Sequence, residues 1–260
     1  MTVREILDRI EGFAPVSLAE DYDNVGLMVG DLDAEVRRLA VSLDTLPDVV
    51  REAGKRGCSA LLTHHPLFFA PARRVDFSTL QGAAVRAAIE TGVAVLAAHT
   101  NWDNAPCGVN AVLAGLLGLT DVRPLVHDGA KMTGAVGVLP SSISEVGELI
   151  KSAWGLSRLD CYGSGQAAPP VRRVALCGGS GGSLWRHAKQ ASADLYVTAD
   201  MKYHEIMECV ASGITVAVAD HGEMERATMA ALAERVGKGQ APRIETCVLD
   251  VRGYVRGEKL

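Results

Sequence analysis

Residues 38–65 read RLAVSLDTLPDVVREAGKRGCSALLTHH, and this stretch decides the fold class. Arg38–Asp44 is a short apolar run, Pro47–Lys55 has helical spacing, and Ala60–His64 is apolar again. Apolar residues on successive positions, instead of alternate ones, suit strands buried on both faces. A strand, a helix and a second such strand make the repeating unit of an α/β protein.

The same alternation continues outward. Further strands are expected at Ala94–His99, Ala135–Leu139, Arg173–Cys177, Asp194–Thr198, Thr215–Asp220 and Ile244–Asp250. Helical spacing marks a first helix capped by Thr2 and running to about Glu11, then Ser78–Thr91, Val109–Leu117 and Ser142–Trp154. It also marks Ser183–Ser192, Met201–Ala211 and Glu223–Val236. Ser142 with Glu145 has capping-box spacing. The expected architecture is two α/β domains, each a three-layer arrangement with a mixed or mostly parallel sheet and helices on its faces. Pro- and Gly-rich breaks at Pro124–Gly129 and Ser164–Val171 suggest a first domain over 1–125, completed by about 215–260, and a second over 126–214.

Composition narrows the class. The chain has 260 residues, 48% hydrophobic and 22% charged, with 26 basic and 31 acidic side chains and a net charge of −5. That apolar fraction excludes disorder. No run approaches the roughly 20 apolar residues of a membrane span. Met1–Pro15 (MTVREILDRIEGFAP) carries acidic residues where a secretory signal is apolar, so a cytoplasmic location is expected. An isoelectric point near 5.8 gives no basic field for duplex nucleic acid. A single phosphorylated metabolite stays open, because metal ions or helix N-termini supply local positive charge. Cysteines 58, 107, 161, 177, 209 and 247 form no C-x-x-C pair and read as reduced thiols, mostly in the core.

The chain has seven histidines, and the placement of four of them carries the chemical signal. His64 and His65 end a strand in LLTHHP, His99 ends one in AVLAAHTNWD, and His221 ends one in TVAVADHGEME. Asp103 and Glu225 each follow a histidine by four residues. In an open α/β sheet the carboxyl ends of parallel strands form the ligand-binding edge, so three strands are expected to deliver imidazoles and carboxylates to one rim. Adjacent side chains on extended backbone point apart, so His64 and His65 suit two neighbouring ions better than one. A helix beginning just after Asp220 puts His221 and Glu225 on one face. The bland reading is a structural histidine at each strand end, with the carboxylates as helix caps. The joint pattern favours a metal site.

Other signals are weaker. Gly178–Ser183 (GGSGGS) invites a phosphate cradle but lacks the Walker lysine, and tight turn chemistry is the simpler reading. Asp200, Tyr203 and His204 in TADMKYHE either line a pocket mouth or open a helix. His127 and His187 read as surface residues, and Trp102 and Trp185 as packing groups. No G-x-S-x-G elbow follows a strand.

Asp23–Leu27 (DNVGL), LLTHHPLFF, AAHTNWDNAPCGVN, GGSGGSL, VTADMKYHE and DHGEMERA together resemble the Nif-three-like family, catalogued as GTP cyclohydrolase I type 2 homologs. The resemblance spans about residues 5–250. It implies a toroidal homohexamer of two-domain subunits, each with a dinuclear centre of divalent ions (zinc, iron or manganese) held by His64, His65, Asp103, His221 and Glu225. His99 falls beside the metals, with a supporting or proton-transfer role. The implied activity is hydrolytic: a metal-bound hydroxide opening the guanine ring of GTP or attacking a related small substrate, with Lys202, Tyr203 and His204 as substrate contacts. The alternative is a non-catalytic metal-delivery or adaptor protein. Ala199 and Ser192 stand where the family usually has glycine, and Cys107 replaces another.

Overall fold

The computed structural model describes residues 1–143, 146–163, 171–238 and 242–250. The first elements are α1 (Val3–Glu11), β1 (Gly26–Val29), β2 (Arg38–Ser42), α2 (Pro47–Lys55), β3 (Ala60–Thr63), α3 (Leu80–Thr91), β4 (Ala94–Ala97) and α4 (Thr100–Asp103). Then follow α5 (Val109–Leu116), β5 (Thr120–Asp128), β6 (Lys131–Ile143), α6 (Val146–Trp154), β7 (Leu159–Tyr162) and β8 (Val171–Leu176). The last are α7 (Trp185–Gln190), β9 (Leu195–Thr198), α8 (Tyr203–Ala211), β10 (Thr215–Ala219), α9 (His221–Arg226), α10 (Met229–Gly237) and β11 (Glu245–Val248).

These elements form two compact units. One is Met1–Trp102 with the described residues from Met229 on; the other is Asp103–Thr228. The first holds a five-stranded sheet of order β1-β4-β3-β2-β11, parallel except for β1. The second holds a six-stranded sheet of order β5-β6-β8-β9-β10-β7. Its β8, β9 and β10 run parallel, while β5, β6 and β7 pair antiparallel. Both sheets are therefore mixed.

Sequence explains the central strands. β3, β4 and β9 are buried at every position, as runs such as ALLT and AVLA require when both sheet faces are covered. Helix α1 is capped by Thr2, whose hydroxyl accepts from Glu5 N–H while the Glu5 carboxylate accepts from Thr2 N–H. Val3, Ile6 and Ile10 form its buried stripe.

Local expectations differ in three places. Ser142 lies within β6 and opens no helix; the helix of this region, α6, starts at Val146. Its supposed partner Glu145 lies outside the described residues, as does most of the Ser164–Val171 break. The Pro124–Gly129 break falls on β5, where Pro124 is tolerated because β5 is an edge strand with unclaimed ladder positions. Among the described residues no helix is long and apolar enough to cross a membrane.

Candidate metal centre

In the first unit the chemistry gathers at the carboxyl ends of β3 and β4. His64 N–H donates to the Ser42 carbonyl (3.1 Å) and His65 N–H to the Leu43 carbonyl (2.9 Å). These bonds carry the β2–β3 ladder two residues past Thr63. The imidazole centroids of His64 and His65 lie 5.1 Å apart, and His99 lies 5.2 and 5.7 Å from them. One ring nitrogen from each of the three lies within 4.8 Å of the others, so the group can hold a metal ion.

Every ring in this group is anchored through Nδ1. His64, fully buried, donates to the Ala98 carbonyl at 3.0 Å. His65 donates to Asp44 Oδ1 at 2.7 Å and His99 to Asp23 Oδ1 at 2.8 Å. A carbonyl or carboxylate only accepts, so each of these bonds places a proton on Nδ1, the tautomer whose neutral ring offers Nε2 as the ligand atom. The Asp23 carboxyl is 0% exposed and also accepts from the Thr100 N–H and hydroxyl. Burial raises its pKa, but the bonds from His99 and Thr100 outweigh burial and hold it well below the usual carboxylate range.

The second unit builds its group at the end of β10. Asp220 caps α9, accepting from Glu223 N–H at 2.8 Å, so the helix begins at His221 and places Glu225 one turn on. His221 Nε2 lies 3.1 Å from Glu225 Oε2, and its Nδ1 donates to Asp200 Oδ2 at 2.6 Å. The hydrogen bond to Glu225, reinforced by Asp200, raises the imidazole pKa to about 9 against the opposing effect of burial. Glu225 is 3% exposed, and one of its oxygens lies within 4.8 Å of an Asp103 oxygen. Burial, together with those two carboxylates, pushes the neighbouring Cys177 thiol up to about 12.

Two buried polar residues hold this wall in place. Asn110 donates to the carbonyls of Asp103 (3.1 Å) and Met132 (3.0 Å) and accepts from Gly178 N–H (3.0 Å). The Thr198 hydroxyl accepts from Gly181 N–H at 3.0 Å. The glycine-rich turn is thereby pressed against the site. A Cβ at Gly179 would approach Glu225 Oε1 closer than 3.0 Å, and φ there is +63°. Close packing of turn against carboxylate accounts for a glycine at this position without any bound phosphate.

The histidines expected at one rim follow strands of two different sheets: His64, His65 and His99 lie in the unit that holds β3 and β4, and Asp103, His221 and Glu225 in the unit that holds β10. Lys202, Tyr203 and His204 are exposed where α8 begins, and the Glu205 carboxylate accepts from Lys202 N–H at 2.9 Å. They open a helix, and among the three only the rings of Tyr203 and His204 pack together, at 5.3 Å. Sequence reading gave no role to Asp23 or Asp44, and did not pair Asp200 with His221. Sequence separations of 76, 21 and 21 residues hide these contacts.

The family described as Duf34/NIF3 (NGG1p interacting factor 3) matches residues 1–253. The chain belongs to the Duf34/NIF3 family. A relative from Clostridium perfringens, named GTP cyclohydrolase 1 type 2 homolog, is 30% identical over 243 residues, covering 91% of each chain. One of the same name from Streptomyces coelicolor is 35% identical over 211 residues, covering 78% of this chain and 74% of its own. Among solved structures, the reduced HcgD of Methanocaldococcus jannaschii superposes with a TM-score of 0.80 at 29% identity, over 96% of this chain and 98% of that one. A Bacillus cereus protein related to NIF3 gives 0.86 at 22% identity, covering 95% and 96%, and shares the fold.

Proposed function

We propose that this NIF3-family chain binds two divalent cations through His64, His65, Asp103, His221 and Glu225 and acts as a metal-dependent hydrolase on a small ring-containing substrate. The substrate class we favour is a purine nucleotide, with GTP taken from the names of the relatives. The observation that carries this reading is the repeated anchoring of imidazole Nδ1. His64, His65 and His221 each give that nitrogen to an oxygen acceptor at a strand's carboxyl end, which leaves Nε2 as the nitrogen a cation would take.

The donors suit such ions. Three imidazoles with two carboxylates accept zinc, iron or manganese. The proton that His221 holds against Glu225 is the one a cation would displace. When bound, a pair of divalent ions supplies Lewis acidity and lowers the pKa of a water molecule. His99 then takes a proton at Nε2, and the Asp23 carboxylate stabilises the ring as it becomes positive. Lys202, Tyr203 and His204 are assigned to the substrate, and assembly as a homohexamer belongs to the same proposal.

Elemental analysis of the untagged chain tests the first half, with about two ions per chain expected and fewer than one refuting it. Incubation of the loaded chain with GTP tests the second. Turnover lost in His65→Ala, with the fold retained, is expected. The family description as an interacting factor favours a non-catalytic adaptor instead. That reading wins if GTP stays intact and a captured partner remains bound after chelation.

A further inference from the structure

The two units build one imidazole anchor in the same way. In the first, Asp44 stands two residues beyond β2 and His65 two residues beyond β3, its parallel neighbour in the sheet. In the second, Asp200 stands two residues beyond β9 and His221 two residues beyond β10, again its parallel neighbour. Each aspartate accepts from the Nδ1–H of its histidine, at 2.7 and 2.6 Å, and each pair is 21 residues apart in sequence. A helix, α2 in one case and α8 in the other, fills the crossover.

Asp200 also adopts a left-handed backbone that is uncommon outside glycine. Its φ is +50°, and only Asp121 and Ser192 share a positive φ among the described non-glycine residues. Of these three, Asp200 alone is bonded to a histidine. Strain kept at a residue that touches a candidate ligand marks a position fixed for that contact.

We infer that Asp44 and Asp200 are paired positioning residues, one for each unit, which fix the Nδ1–H tautomer of His65 and His221 and so set the affinity for cations. This rests on the metal-binding reading above. A carboxylate behind a ligating imidazole orients the ring and makes its free nitrogen more basic, and losing such a partner costs about 10- to 100-fold in metal affinity. The matching placement of the two pairs means that each aspartate governs its own histidine. Removing one therefore leaves the other anchor intact.

The test is a zinc titration of the full chain against a competing chelator, with Asp44→Asn, Asp44→Ala, Asp200→Asn and Asp200→Ala beside wild type. Asp33→Asn, which removes an exposed partner of Arg4, is the control. Each alanine variant is expected to weaken zinc binding about 10- to 100-fold, each asparagine variant by less, and the control not at all. Nitrogen-15 spectra of the zinc-loaded wild type should show protonated Nδ1 on His65 and His221. In each alanine variant that signal should change only on the ring that lost its partner. If Asp44→Ala fails to fold, Asp44→Asn, equal in size, carries the measurement. Variants that bind within about threefold of wild type, with unchanged ring signals, overturn the inference while leaving the metal site standing. A wild-type chain that takes up no zinc ends both.

Discussion

The backbone of Gly179 passes so close to Glu225 that a Cβ there would meet Oε1 closer than 3.0 Å and touch the His221 ring at 3.4 Å. Glu225 has little room to yield, because it is buried and its second oxygen lies against His221 Nε2. Gly179→Ala therefore has to displace the carboxylate and also carry a left-handed φ. We expect a stability loss of about 1–3 kcal/mol and weaker divalent-ion binding. Thermal melts and ion titration check both. Wild-type ion affinity in this variant would show that Glu225 does not need its present position.

A second left-handed position should respond in the opposite sense. Ser192 follows α7 with φ +55°, and the adjacent Ala193 N–H closes back on the Ala188 carbonyl at 3.0 Å. This is a helix terminus that glycine ends at lower cost. Ser192→Gly is expected to raise stability by about 1 kcal/mol. A denaturant midpoint that falls would contradict the strain argument.

Which parts of the fold the sequence disclosed follows from where the strands lie. β3, β4, β9 and β10 sit inside their sheets, and sequences such as ALLT and TVAVA mark them. The strands missing from the sequence reading are β1, β5 and β7, and all three are sheet edges. An edge strand has less to bury: β5 reads TDVRPLVHD and is largely exposed, and β7 reads LDCY. The site divides similarly. The strand-end histidines were legible because each ends an apolar run, whereas Asp44 and Asp200 gain their meaning only when parallel strands bring them beside His65 and His221.

The interior strands should be the least tolerant of truncation. Leu62 is fully buried in β3, two residues before His64. Leu62→Ala should cost about 2–5 kcal/mol, the usual range for a buried leucine whose cavity relaxes incompletely. Chemical denaturation measures it. A loss under about 1 kcal/mol would mean that β3 repacks freely and that His64 and His65 stand on a softer base than the burial implies.

The Asp23–His99 pair gives a pH signature. The folded-state pKa of Asp23 lies below its ordinary 3.8, through bonds from His99 and Thr100 that prevail over burial. A depressed carboxylate stabilises the fold above the unfolded-state pKa, and that contribution fades as pH falls from about 3.8 toward the folded value. Asp23→Asn keeps the shape but loses the charge, so it should destabilise the chain by about 1.5–3 kcal/mol at neutral pH, the range for hydrogen bonds to a charged group. The gap to wild type should then narrow in acid. Urea melts of the ion-free chain at pH 6, 4 and 3 test this, because metal loading would add its own pH dependence. A gap between the two proteins that stays constant across those three conditions would mean that the Asp23 charge contributes nothing, and that His99 is held by shape alone.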